Sequence, residues 1–185
     1  RQRQLSKQLA QRSHSSNSVL LKRNPVPKGA GPSAFSNTLH YVHTVESPEA
    51  MFELGKRIGS LCKAGDLILL NGPLGAGKTV LAQGVGAGLG VTGVTSPTFV
   101  ISRVHKGAIP FIHVDAYRLV DSENPNLYLD DLDLDIANSI TLIEWGGAES
   151  ARLSEDRLEI MIDRSSDERT VEIKAVGPRW AEFSL

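Results

Sequence analysis

The sequence predicts an α/β fold with a mixed, mainly parallel central sheet and antiparallel strands near its C-terminal end. Three observations lead there. The apolar run Leu67-Ile68-Leu69-Leu70 suits a buried strand, and it leads into Gly72-Pro73-Leu74-Gly75-Ala76-Gly77-Lys78-Thr79. That octet fits GxxxxGK[ST] at every fixed position, and residues 79–85 after it can begin a helix. Strand, glycine-rich turn and helix in this order are the setting in which the pattern marks a phosphate-binding P-loop. Second, Ile140-Thr141-Leu142-Ile143 is another apolar run, with Glu144 at its end. Third, residues 158–162 and 170–175 are apolar or alternating and are joined by Ser165-Ser166-Asp167-Glu168, as paired antiparallel strands would be.

The remaining elements follow in order. Residues 39–45 alternate well enough for a first strand. Ser47-Pro48-Glu49 then reads as a helix start: serine caps, proline fits the first turn, and glutamate favours the positive end. Ala50, Leu54, Ile58 and Leu61 supply its apolar stripe, and the helix ends before Gly65-Asp66. The helix after the P-loop carries Gly84, Gly86 and Gly88, each of which weakens it relative to alanine. Residues 88–93 spell GxGxxG, but they follow a helix rather than a strand, so they read as a helix end and turn. Strands are expected over 98–103 and 109–114, joined through Lys106-Gly107. Residues 121–126 form a polar loop, 127–136 a short helix with one buried face, and 148–153 another short helix. Asp131, Asp133 and Asp135 lack the glycine and terminal glutamate of a calcium loop and read as a solvated acidic face.

Composition bounds the setting. The chain has 185 residues, 41% of them hydrophobic, enough for one compact domain plus an extension. Its single cysteine, Cys62, excludes an internal disulfide and reads as a small buried hydrophobe. No run of 18 apolar residues predicts a membrane span, so a reduced, cytoplasmic setting is expected. The net charge of −1 hides an asymmetry: residues 1–43 hold seven Lys/Arg and no acid, and the remainder is net −8. Residues 1–36 therefore read as a basic, largely disordered extension, with 37–185 as the folded domain. The extension is either a solvated tail or an electrostatic RNA contact, and it lacks aromatics interleaved to stack bases.

Four segments carry the chemistry. In the P-loop, backbone N–H groups of the turn and helix start face phosphate oxygens. Lys78 reaches the outer phosphates and the Thr79 hydroxyl is a magnesium ligand. In Thr95-Ser96-Pro97-Thr98-Phe99, Pro97 holds Ser96 extended, a corner that carries Ser96 or Thr98 toward a nucleotide or is an ordinary turn. In His113-Val114-Asp115-Ala116-Tyr117-Arg118, His113 and Asp115 share a strand face. Asp115 falls at the strand's C-terminal end, where open α/β sheets present ligands, and is placed to orient water or hold magnesium through water. His113 reads as a hydrogen-bonded support; Arg118 meets phosphate, a partner or a surface acid. In Ile143-Glu144-Trp145, Glu144 is placed to hold magnesium directly or through water, and Trp145 walls the site or fills the core.

Taken together, Gly-Pro-Leu-Gly-Ala-Gly-Lys-Thr at 72–79, Thr-Ser-Pro-Thr-Phe at 95–99, His-Val-Asp-Ala-Tyr-Arg-Leu at 113–119 and Ile-Glu-Trp at 143–145 resemble the bacterial TsaE (YjeE) family in motif order and spacing, over roughly residues 39–180. The resemblance implies a P-loop NTPase fold and a magnesium-dependent ATPase, weak alone and stimulated by partners, that assists formation of threonylcarbamoyladenosine on tRNA. It implies ATP and Mg2+ as cofactors, with ATP held by 72–79 and Val80 together with Ser96 and Thr98 of a switch-like segment. Magnesium lies near Thr79 and Glu144, and Lys78, Asp115 and Glu144 form the catalytic set. TsaD-like and TsaB-like proteins are the implied partners, with tRNA reached through them and ATP hydrolysis resetting the complex. Two features depart from the family pattern: Gly146-Gly147 follows Trp145 where proline is common, and the basic extension is atypical. From the residues alone, a small-metabolite P-loop kinase and a nucleotide-dependent, non-hydrolytic binding module remain the alternatives. A kinase would need a lid of arginines, and Arg118, Arg152 and Arg157 are scattered.

Overall fold

The structure is a computed structural model, and it describes residues 20–23, 38–97, 100–120, 129–166 and 168–185. Among these, eight strands form one sheet: β1 Leu20–Arg23, β2 Thr38–Val45, β3 Leu67–Asn71, β4 Ser102–His105, β5 Phe111–Asp115, β6 Ile140–Glu144, β7 Arg157–Asp163 and β8 Arg169–Val176. Helices α1 Pro48–Leu61, α2 Lys78–Gly88, α3 Tyr117–Val120 and α4 Ala148–Ala151 accompany them.

The strand order is β1-β2-β8-β7-β3-β6-β5-β4. The ladders joining β7, β3, β6 and β5 are parallel. The remaining four ladders are antiparallel. The sheet is thus mixed, with its parallel pairing confined to the centre. That centre explains the unbroken apolar runs: every residue of β5 and β6 is buried, as are Leu67 to Leu70 of β3. Each fully buried Leu or Ile there contributes about 1.5–3 kcal/mol of transfer free energy.

The first helix begins as its sequence dictates: Ser47 Oγ accepts from Ala50 N–H at 3.1 Å and Pro48 opens the first turn. Its buried stripe differs from the expected one. Met51, Leu54, Gly55, Ile58 and Gly59 are buried, whereas Ala50 and Leu61 are exposed. The reason is α2. A Cβ on Gly55 would lie 2.2 Å from the Leu81 carbonyl oxygen, and one on Gly59 2.2 Å from that of Val85. From the other side, a Cβ on Gly84 would lie 2.1 Å from the Phe52 carbonyl oxygen, and one on Gly88 2.3 Å from that of Lys56. Two glycines four apart on each helix let the backbones touch, so glycines that weaken α2 alone are required by its neighbour.

Several boundaries move. The strand expected at 98–103 is β4, at Ser102–His105. The Pro97 carbonyl accepts from both Val100 and Ile101 N–H at 2.8 Å, so the chain is still turning there. Thr98 and Phe99 lie outside the described residues. The next strand starts at Phe111, after Pro110, which has no N–H for a ladder. The polar loop expected at 121–126 lies outside the described residues; beyond it, residues 129–131 are helical and Ile136–Asn138 form a separate 3-10 turn instead of one helix to 136. Asp131, Asp133 and Asp135 are exposed. Within the expected extension, Leu20–Arg23 pair antiparallel with β2, and the rest of residues 1–36 lie outside the described residues. Cys62, half-buried at the end of α1, donates to the Ile58 carbonyl, and burial pushes its thiol up to about 12. No helix among the described residues is long and apolar enough to cross a membrane.

Candidate functional site

The parallel centre of the sheet ends on one side at Asn71, Asp115, Glu144 and Asp163, the last residues of β3, β5, β6 and β7. There the chain leaves β3 as the P-loop. Gly72, Gly75 and Gly77 take φ values of +147°, +74° and +109°, left-handed conformations that glycine adopts without a Cβ penalty. Gly77 caps α2 without any side-chain bond, so the first N–H groups of an 11-residue helix carry no capping side chain.

A pocket of about 550 Å³ opens at this helix start. Leu74, Gly75, Gly77, Lys78, Thr79 and Val80 line it from the P-loop side, facing Ser96, Asp115, Tyr117, Glu144 and Trp145. The expected site residues of four separate segments thus meet around one cavity. Gly72 and Pro73 contribute through their carbonyls, which accept from Lys78 Nζ at 2.8 and 3.1 Å, and Ala76 is buried beneath the loop. Thr98 cannot be placed, since it lies outside the described residues.

Lys78 is buried, and burial pulls its ammonium below the ordinary lysine range while Glu144 and Asp115 nearby oppose that shift. Its Nζ also lies 4.0 Å from the centroid of the Trp145 ring, a cation–π contact. Trp145 is half-buried, sits at φ +61° and packs on Tyr117 with ring centroids 5.1 Å apart, so it walls the site. Its N–H donates to the Leu70 carbonyl at 3.0 Å, and Asn71 Nδ2 donates to the Gly146 carbonyl at 2.8 Å. These two bonds over-determine the strained turn, with Gly146 packed close to Leu69.

The carboxylates are set by adjacent parallel strands, with Asp115 beside Glu144 in register. His113 is fully buried and its Nε2 lies 2.8 Å from Glu144 Oε1, the support expected for it. Asp115 Oδ1 accepts from Tyr117 N–H at 3.0 Å, and Asp115 N–H donates to the Ile101 carbonyl at 2.8 Å. Ile101 has φ +65°, which is costly for a β-branched residue, so the Asp115 backbone is held by a strained neighbour. Ser96 follows Thr95, whose Oγ1 accepts from Arg103 Nη1 at 2.8 Å. Arg118 is exposed.

The donor set fits a magnesium nucleotide. Three glycines leave room for phosphate oxygens, uncapped helix N–H groups and a buried ammonium supply positive potential, and a hydroxyl and carboxylates supply hard oxygen ligands. Sequence reasoning missed Tyr117, Asn71, Arg164 and Arg169. Arg164 Nη1 and Arg169 Nε donate to P-loop carbonyls across 90 and 93 residues of chain, which no local pattern announces.

Comparison with known proteins agrees with this architecture. The family model described as "Threonylcarbamoyl adenosine biosynthesis protein TsaE" matches residues 45–171. A Streptomyces coelicolor protein named tRNA threonylcarbamoyladenosine biosynthesis protein TsaE is 49% identical over 142 residues, covering 71% of this chain and 94% of the relative. The Bacillus subtilis protein of the same name is 38% identical over 137 residues, covering 72% and 85%. The crystal structure of Bacillus subtilis YdiB superposes with a TM-score of 0.60 at 30% identity, over 78% of this chain and 90% of that one, and fits a P-loop NTPase-like fold. The chain belongs to the TsaE family of tRNA threonylcarbamoyladenosine biosynthesis.

Proposed function

We propose that this chain binds and hydrolyses magnesium ATP, and that hydrolysis resets a TsaD-like and TsaB-like pair between rounds of tRNA threonylcarbamoyladenosine formation. The observation that carries the reading is the convergence of Lys78, Thr79, Asp115 and Glu144 on one pocket at the C-terminal ends of parallel strands. Each residue takes a distinct part. The P-loop N–H groups orient the phosphates, and Lys78 delivers its charge to the outer ones. Thr79 and Glu144 hold the metal, with His113 fixing one Glu144 oxygen and so the carboxylate's orientation. Bound magnesium supplies charge neutralisation for the terminal phosphates. Asp115 orients the attacking water from the neighbouring strand. Trp145 and Tyr117, packed ring on ring, wall the pocket beside Lys78.

The test is ATP turnover by the purified chain alone, with the TsaD–TsaB pair, and with candidate small acceptors. The expected result is slow release of phosphate alone and faster release with the protein pair. Phosphate transfer to a metabolite would establish a kinase instead, and tight ATP binding without turnover in any mixture would establish a binding module.

A further inference from the structure

Two arginines from outside the P-loop, neither of them lining the pocket, bond to its carbonyls. Arg164 follows the end of β7, and Arg169 opens β8. Because β7 runs parallel to β3, with Met161 beside Asn71, the turn after β7 arrives at the same end of the sheet as the P-loop. Arg164 Nη1 donates to the Leu74 carbonyl at 2.9 Å, and Arg169 Nε donates to the Ala76 carbonyl at 3.2 Å. No cis peptide bond is present among the described residues. In a trans peptide unit the C=O and the following N–H point in opposite directions. The Leu74 carbonyl drawn to Arg164 therefore turns Gly75 N–H away from that arginine, and the Ala76 carbonyl drawn to Arg169 turns Gly77 N–H away likewise. Gly75 and Gly77 line the pocket.

We infer that Arg164 and Arg169 are positioning residues of the phosphate cradle, which pre-orient the Gly75 and Gly77 N–H groups toward nucleotide phosphate. The inference rests on the nucleotide-binding reading above. Glycine peptide units rotate more freely than others, and ordering them at the moment of binding lowers affinity. A guanidinium on each carbonyl removes that freedom beforehand, and a charged donor polarises the peptide so that its N–H binds an anion more strongly. At Gly75 the guanidinium sits close over the backbone: a Cβ there would lie 2.6 Å from Arg164 Nη1, so a side chain would have to displace that arginine.

The experiment uses the full chain as wild type, as the Arg164→Met/Arg169→Met double variant and as the Arg164→Lys/Arg169→Lys double variant. Competition against a fluorescent ADP analogue gives affinities for ADP and ATP with magnesium, and steady-state hydrolysis separates KM from kcat. Loss of pre-orientation removes binding common to ground and transition states. The Met variant is expected to bind both nucleotides about tenfold more weakly, or about 1.4 kcal/mol, with KM raised and kcat within about threefold. The nucleotide-free melting midpoint is expected to stay within about 2 °C of wild type. Arg164→Lys/Arg169→Lys, which keeps a charged donor at each position, is expected to recover more than half of the binding energy that the Met variant loses, and a loss equal to that of the Met variant overturns the inference. Wild-type affinity in the Met variant overturns the inference, and so does a melting midpoint that falls in step with affinity. A wild-type chain that binds neither nucleotide overturns the functional reading itself, whereas normal binding by wild type and the Met variant alike overturns this inference alone.

Discussion

Glu144 belongs to the end of a buried strand and to the pocket at once, and both roles shape what a substitution there does. Its backbone carbonyl accepts from Ala116 N–H, and its side chain meets His113 Nε2. Glu144→Gln keeps an acceptor for His113 and nearly the same volume while removing the charge. Turnover is expected to fall about 100-fold with the nucleotide-free midpoint nearly unchanged, and the magnesium requirement to rise. Magnesium titration of turnover checks this, and equal metal dependence in both proteins would remove Glu144 from the metal site. His43, which does not line the pocket, shows a different residue-scale effect. It is buried in β2, faces a cleft with Glu53 and Arg57, and its Nε2 has no hydrogen-bond partner among the described residues. Burial, and then the Arg57 charge, lower its pKa below the ordinary 6.5. The folded state thus prefers neutral imidazole, and the unfolded chain takes up the proton first as pH falls through about 6.5. Stability is complete above that point and declines below it until the lower folded pKa is reached. His43→Gln is expected to lose less melting temperature than wild type between about pH 7.5 and pH 5.5, and parallel curves would reject the assignment. Neither the burial of His43 nor its neighbour Arg57 was legible in the sequence, since both depend on how α1 settles on β2. Lys78, Thr79, Asp115 and Glu144 were legible because a P-loop and strand-terminal carboxylates carry their geometry in local order.

At the scale of elements, the helix pair α1 and α2 shows where local reasoning stops. Gly84 and Gly88 are visible as weak helix formers, but their purpose lies in Phe52 and Lys56, whose carbonyls occupy the space a Cβ would need. The same contact rotates α1 so that Met51 is buried and Ala50 exposed. Propensity alone says Gly84→Ala stabilises the helix by up to about 1 kcal/mol. Packing says the reverse, because the added methyl would sit 2.1 Å from the Phe52 carbonyl oxygen and force the helices apart. Overpacking outweighs propensity here, so Gly84→Ala is expected to destabilise by about 1–3 kcal/mol in chemical denaturation. A stabilised variant would mean that α1 and α2 do not cross this closely. Since α2 begins at Lys78, the separation is also expected to weaken nucleotide affinity. Strand ends were harder to read than strand centres for a related reason. β4 starts at Ser102 only because the Pro97 carbonyl holds Val100 and Ile101 in a turn, a bonding choice that apolar patterning does not express.

Across the whole molecule, basic charge gathers in the segment that supplies the edge strand β1. All seven basic residues of the first 43 lie within residues 1–36, and the remainder carries a net charge of −8. Of that basic segment, Leu20–Arg23 add an edge strand to β2, while the pocket beside Lys78 is built on β5, β6 and the P-loop that follows β3. β2 is separated from β3 by β8 and β7, so removal of β1 leaves the ladders around the P-loop in place. Deletion of residues 1–36 is therefore expected to keep cooperative unfolding and intrinsic ATP turnover within about twofold of the intact chain. It also uncovers the outer edge of β2, an eight-residue strand with Tyr41, His43 and Val45 buried on one face and an unpaired row of backbone groups toward the solvent. A melting midpoint a few degrees lower, and greater self-association at high concentration, are expected from that edge. Electrostatics supplies a second, separable consequence. The remaining acidic body repels a polyanion, so any affinity of the intact chain for tRNA is expected to fall on deletion, and the intact chain's affinity to fall steeply with salt. Melting, light scattering, turnover and tRNA binding at two salt concentrations, measured on matched preparations, decide among these effects. Loss of cooperative unfolding would show that the basic segment is part of the core. Equal tRNA affinity with and without it would place any RNA contact on the acidic body, against the charge argument.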